Sequence, residues 1–231
     1  KDRFAEGWDV RRAAHHKRMR ELGLVNCDLA PLEPAIFPPW NLPAQEQLAR
    51  YGPGEVYNAV PWATLNREQK DFQRTKMAIH AAMITRMDRE IGRVLAQLKA
   101  MDAYNDTLIL FISDNGASAE IMIRGEGHDP AARPGSEQTH LCLGPGWSSS
   151  SNSPFRLHKS WVHEGGIASP LIAHWPNSIK DHGKLRHASC HFIDIVPTML
   201  DLAGGKSASP AEAPPLTGRS IPIIADSYVD K

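Results

Sequence analysis

Asp114 and Asn115 stand at the end of residues 107–113 ("TLILFIS"), an almost unbroken apolar run. A carboxylate next to an amide oxygen is a pair of hard donors of the kind that hold Ca²⁺ or Mg²⁺. Asp-Asn-Gly is also ordinary turn chemistry, so the pair is either a tight bend or a set of ligands at a strand exit. A hairpin would need a second apolar strand at once. Residues 117–153 supply a long polar, glycine-rich stretch instead, and a long loop after a buried strand is more often functional than filler. In open α/β sheets, ligands bind beyond the carboxyl ends of the strands, which is where this pair would lie.

A second candidate is Lys159, five residues before Glu164-Gly165-Gly166 and the apolar segment 169–176. At a strand mouth its ammonium would neutralise an anionic oxygen; elsewhere it is a surface lysine. The eleven histidines invite a zinc reading, yet there is no H-E-x-x-H and no paired Cys-x-x-Cys, and "HASCH" (187–191) is the densest cluster. No G-x-S-x-G elbow or phosphate-binding P-loop is present. Nothing local marks a nucleophile.

Positioning these groups requires a framework. Helical periodicity predicts a first helix over 7–22, stopped by Gly23. The basic stretch 11–20 reads as its solvated face. Seven prolines between 31 and 61 predict a connection without regular helix that wraps over a surface. From Asn66, apolar residues recur at spacings of three, four and seven up to about Met101. Asn66-Arg-Glu-Gln69 has the form of a capping box, and Gly92 is expected to mark a close approach to a neighbour. The run 107–113 predicts a strand covered on both faces, as in a parallel sheet. Glu164-Gly165-Gly166 is expected to turn tightly into a second strand over 169–176. A last helix follows, with Asp194 as N-cap, Pro197 in its first turn and Gly204 at its end. The order of elements is that of an α/β protein with a mostly parallel central sheet flanked by helices.

Lys plus Arg and Asp plus Glu both number 26, which argues against a nucleic-acid or anionic-membrane partner. No stretch of 18 apolar residues exists to span a membrane. Three cysteines, Cys27, Cys142 and Cys190, are too few for a disulfide scaffold.

Taken together, these segments resemble the type-I, formylglycine-dependent sulfatases. "FISDNGASAE" resembles the family's strand-end metal motif, and "GPGWSSSSNSPFRLHKSWVHEGGIASPLIAHWP" the segment with its sulfate-binding lysine. "HFIDIVPTMLDLAG", "PLTGRSI", "EGWDVRRAAHHKRMRELGLV" and "MITRMDREIGRVLAQLK" are similar to further parts of the catalytic domain. The resemblance implies an alkaline-phosphatase-like α/β fold and hydrolysis of sulfate esters, assisted by Ca²⁺ or Mg²⁺. It maps Asp114 and Asn115 onto two metal ligands and Lys159 onto the lysine that contacts sulfate. His163 and His128 are candidate substrate contacts. The implied substrate is a sulfated small molecule or glycan, and the implied compartment is periplasmic or extracellular.

The chain departs from the family in one decisive respect. The nucleophile motif Cys/Ser-x-Pro/Ala-x-Arg does not occur: Ser220 comes nearest, with isoleucine at the arginine position. The family's early pair of metal-binding aspartates is also without a match. The chain is therefore expected to be the middle and C-terminal part of a catalytic domain. Residues 1–205 would belong to that domain, and 206–231 would form a linker and the start of a further subdomain. Formylglycine would reside in an N-terminal half, itself a possible partner. Alone, the chain is expected to be inactive and to associate through uncovered apolar surface. The alternatives are a phosphodiesterase or phosphonate hydrolase of the same superfamily, and a non-catalytic pseudoenzyme or partner chain.

Overall fold

The structure, a computed structural model, describes residues 2–39, 42–121, 127–205, 217–221 and 224. Its regular elements are α1 (Gly7–Glu21), α2 (Ala44–Tyr51), α3 (Arg67–Ala100), β1 (Ile109–Ile112), α4 (Gly144–Ser151), α5 (Glu164–Ile167), β2 (Leu171–His174) and α6 (Ile195–Leu202). They group into two units. One comprises Lys1–Ile91 and Asn115–Ser169, the other Gly92–Asp114 and Pro170–Lys231. No described helix is long and apolar enough to cross a membrane.

The first unit is built on an aromatic core. Trp8 of α1 meets Trp62 and Trp147 edge-on, with ring centroids 4.8 and 5.5 Å apart, and Phe4 meets Trp147 at 5.9 Å. Edge-to-face contact suits the ring quadrupoles, and each buried indole N–H needs an acceptor. Trp8 Nε1 donates to Val60 O and Trp147 Nε1 to Gln73 O, both at 2.8 Å.

Val56 belongs to this core and Leu32 and Val60 pack against it, so the proline-rich segment builds the interior that it was expected only to cover. It also contains α2. Pro43 stands at the N-cap of α2 and Gly52, with φ +79°, at its C-cap, so neither the missing proline N–H nor the breaker interrupts the helix.

The ends of α1 and α3 match their sequence signals. Leu24 N donates to Met19 O at 2.9 Å across Gly23, whose φ is +71°, closing α1 in a left-handed cap. Asn66 and Gln69 exchange backbone-to-side-chain bonds of 3.0 and 2.9 Å. The basic face of α1, in contrast, is not fully solvated. Arg12 lies one turn beyond Trp8 and so shares its buried side. It donates to Ala30 O at 2.5 Å and Ser149 O at 3.3 Å. Burial lowers its pKa from the ordinary value, against the opposing pull of Asp9.

The first half of α3 carries a sealed ion pair. Lys76 Nζ reaches both oxygens of Glu55 at 2.8 and 3.0 Å. Gln73 Nε2 and Val56 N each donate to Glu55 Oε1 at 2.9 Å. Farther along, Met83, Ile84, Met87 and Val94 are exposed. The close neighbour expected at Gly92 is not found: among the described residues, nothing lies within 4 Å of a Cβ built there.

The second unit holds the described sheet. β1 and β2 pair antiparallel, Ile109 opposite His174 through Ile112 opposite Leu171. This corrects the parallel arrangement expected from the apolar runs. An apolar run reports burial and not direction, and here the chain re-enters the ribbon at the end from which it left. Nor are both faces covered, since Phe111 is 48% and Ile172 60% exposed.

Asp194 stands at the N-cap of α6 as expected, but its side chain makes no cap bond to that helix. It closes the 3-10 turn Phe192–Asp194 before α6, and its carboxylate accepts from His191 N at 2.7 Å and Arg219 N at 2.9 Å. The bond from Arg219, then that from His191, holds this carboxyl below the usual range. Pro197 falls in the first turn of α6, and Gly205 N donates to Leu200 O at 2.8 Å behind a left-handed Gly204. The boundary expected at 205/206 borders residues outside the described set.

Replacing one partner of the Glu55–Lys76 pair strands a buried charge. Lys76→Met is expected to destabilise the first unit by about 3–5 kcal/mol in urea denaturation, and Glu55→Gln added to it to recover part of that loss.

Candidate active site

Strand pairing excludes a hairpin at Asp114-Asn115. β1 hydrogen-bonds to β2, far along the chain, so the Asp-Asn-Gly sequence bends out of the strand without forming a hairpin. The Asn115 side chain turns its Nδ2 toward Gly116 O at 2.8 Å. That commits the amide nitrogen to the backbone, and the oxygen is the atom with cation-binding chemistry. Asp114 is exposed and Asn115 half-buried.

Within the first unit, the residues after Asn115 are stitched to the Lys159 segment by backbone bonds. Gly116 N donates to Gly166 O at 2.9 Å, and Lys159 N to Ala117 O at 3.1 Å. Gly165 N donates to Arg156 O at 2.9 Å. The approach is so close that side chains have no room. A Cβ on Gly116 would stand 1.8 Å from Gly165 O, one on Gly165 2.3 Å from Arg156 O, and one on Gly166 2.1 Å from Trp161 O. Glu164-Gly165-Gly166 is thus not the tight turn expected. It is the start of the one-turn helix α5, and its glycines serve close packing of backbone on backbone.

Lys159 itself is half-buried. Leu157 and Ser160 on either side have φ of +66° and +79°, a left-handed conformation that side chains other than glycine adopt at a cost. Among the described residues its Nζ makes no ion pair or hydrogen bond. His158, one residue earlier, points the opposite way in burial: it is 4% exposed, with Nδ1 2.8 Å from Ser148 Oγ. Desolvation pushes its pKa down to about 4, with Glu33 raising it and Arg12 lowering it further.

Of the other two candidates, His163 joins this network through its backbone only, and His128 has separate partners. His163 is exposed and caps α5 with its backbone, its carbonyl accepting from Gly166 N at 2.7 Å. His128 accepts from His140 N at 3.1 Å and packs its ring 6.0 Å from that of Tyr51. Burial, then His140, lowers its pKa from the ordinary value. The structure therefore brings the Asn115 and Lys159 segments together and gives His128 different partners. Among the described residues, no group of three or more His, Cys, Asp or Glu side chains could hold a metal ion.

The sequence did not single out Asn152, His158 or Ser148. The signal available was the run 148–152, "SSSSN", after Trp147. Read as a polar loop, it is instead the buried helix α4 and its C-cap.

Comparison with known proteins identifies the family. The sulfatase family model matches residues 48–205, more than half of the chain. An uncharacterised sulfatase of Schizosaccharomyces pombe is 28% identical over 87% of this chain and 34% of its own length. The arylsulfatase of Klebsiella aerogenes is 30% identical over 71% of this chain and 38% of its own. Mouse N-acetylgalactosamine-6-sulfatase is 28% identical over 71% and 28%. The chain belongs to the sulfatase family, and with it to the alkaline-phosphatase-like α/β class. It spans roughly a third of the length of the curated relatives it matches.

Two outcomes follow from the packing. Gly165→Ala forces two carbonyls apart and is expected to cost about 3 kcal/mol, read as a lower denaturation midpoint. For His158, the folded pKa is about 4 against 6.5 when unfolded. Above pH 6.5 both states are neutral there and its stabilisation is complete. Between 6.5 and 4 the unfolded state takes up a proton that the folded state refuses, so stability falls by about 3 kcal/mol as pH drops. His158→Asn is expected to flatten that part of the stability–pH curve.

Proposed function

We propose that this chain contributes part of a sulfate-ester hydrolase centre: the sulfate-contacting lysine and two oxygen ligands of its divalent cation. The observation that carries the proposal is the bond from Lys159 N to Ala117 O. It holds the lysine backbone beside the residues that directly follow Asn115. In this reading the Lys159 ammonium offsets the charge gathering on the sulfuryl oxygens as the ester S–O bond breaks. A preset backbone with an amine that has no ion-pair partner among the described residues suits that role, because no such pair need be given up to receive the anion.

The donor set fits Ca²⁺ or Mg²⁺ in kind, a carboxylate from Asp114 and an amide oxygen from Asn115. In number it does not suffice. The pair supplies about three oxygens at most, where Ca²⁺ takes about 6–8. A bound cation would supply Lewis-acid charge, and formylglycine the nucleophile; no residue of this sequence matches the motif that forms it. Complementary residues are expected from the portion of a sulfatase domain that this chain does not span. The uncovered apolar side chains Phe111 and Ile172 support docking of further structure on the two-stranded ribbon. The substrate class is a sulfated small molecule or glycan.

The 231-residue chain is expected to show no turnover of 4-nitrophenyl sulfate, while still sensing the anion. Sulfate added in the presence of Ca²⁺ should shift the amide resonances of residues 157–160 with a Kd on the order of millimolar, and Lys159→Met should weaken this about tenfold. Robust hydrolysis by the chain alone would contradict the ligand count. An equal response in Lys159→Met would remove the lysine from its role, and a stronger response to phosphate would favour phosphoryl-transfer chemistry.

A further inference from the structure

Asn152 follows the buried helix α4 and is itself only 8% exposed. Its side-chain amide is used from both ends. Oδ1 accepts from Ala117 N at 2.7 Å, and Nδ2 donates to Ala117 O at 3.1 Å and Leu157 O at 3.0 Å. Ala117 lies two residues after Asn115, and Leu157 two residues before Lys159. We infer that Asn152 is the positioning residue that sets the spacing between the Asn115 segment and the Lys159 segment. The inference rests on the reading that these two segments serve one sulfate site.

The chemistry of the side chain explains why an amide is needed. Ala117 presents both its N–H and its C=O to Asn152, as one strand presents to another, and a planar group with an acceptor at one end and a donor at the other answers both. The second N–H of Nδ2 then reaches Leu157 O, on the residue held at positive φ. An aspartate has the acceptor but no donor, and would set a negative oxygen against two carbonyls. An alanine leaves Ala117 N–H and Leu157 O without this partner, each worth about 1–3 kcal/mol, and leaves Ala117 O only the Lys159 N–H. The anchor is stiff, because Asn152 N is bonded to Ser148 O at 2.9 Å at the end of α4. The α4 backbone in turn packs so closely on α1 that a Cβ on Gly146 would stand 2.7 Å from the Trp8 ring. The aromatic core of the first unit thereby sets the position of the lysine through one amide.

Hydrogen exchange on the 231-residue chain separates a clamp from a general packing role. In Asn152→Asp, Oδ1 still accepts from Ala117 N. The Ala117 amide should keep its protection within about threefold, whereas the Lys159 amide should exchange about tenfold faster or more. Asn152→Ala should release both. Amides in the first half of α3 serve as reference and should not change. Parallel acceleration of Ala117, Lys159 and the α3 amides would overturn the inference, as would unchanged Lys159 exchange in Asn152→Ala. A measurement on the unsubstituted chain covers failure of the variants to fold. The Asn152 Nδ2 protons should exchange slowly and show cross-peaks to Ala117 and Leu157, and their absence would also overturn it. Should the split pattern hold while sulfate leaves residues 157–160 unmoved, the clamp stands and the sulfate reading falls.

Discussion

Three stretches of main chain meet near Gly116 with no side chain between them. Gly116, Gly165 and Gly166 each face a carbonyl oxygen where a Cβ would otherwise be. This exclusion is the constraint on which the rest of the site depends. Peptide groups brought so close must pair with one another, and they do, through Gly116 N to Gly166 O and Gly165 N to Arg156 O. Once that contact exists, Lys159 has little freedom. Its amide joins Ala117, and the residues on either side take left-handed backbone angles to keep it there. Strain of this kind persists only where surrounding contacts over-determine the backbone.

The surroundings that do so are polar as well as aromatic. Ser148, Asn152 and His158 are buried beside a cluster of three tryptophans and a phenylalanine. In that setting a hydrogen bond is both stronger and more costly to leave unmade than at the surface. Each group is answered: Ser148 by His158, Asn152 by Ala117 and Leu157, Glu55 by Lys76, Gln73 and Val56. Such a network specifies one arrangement, because a shift of any member strands another. The neutral imidazole of His158 belongs to the same logic, since burial disfavours its charge by more than Glu33 favours it.

The second unit obeys a looser rule. Its two-stranded ribbon pairs correctly along four residues, yet it presents Phe111 and Ile172 to solvent. An isolated pair of strands is marginal on its own. Elsewhere in this unit, bonds at Asp194 and Thr198 tie residues 219 and 221 to the start of α6. In the proposed reading these exposed faces would receive further sheet and helix.

The sequence by itself determined what depends on near neighbours. The Asn66–Gln69 cap, the glycine ends of α1 and α6, the positions of both strands and the sulfatase-like motifs could be read directly, because each is written within a few residues. The tertiary structure alone decided what depends on distant partners. It made the ribbon antiparallel, drew the proline-rich segment into the core, buried Arg12, turned a serine run into a helix and made Asn152 a joint between two loops. Periodicity reports which residues are buried, but not what they are buried against. A hydrogen bond from residue 152 to residues 117 and 157 leaves no mark in any local pattern, since its meaning arises only when three stretches of backbone close on one another.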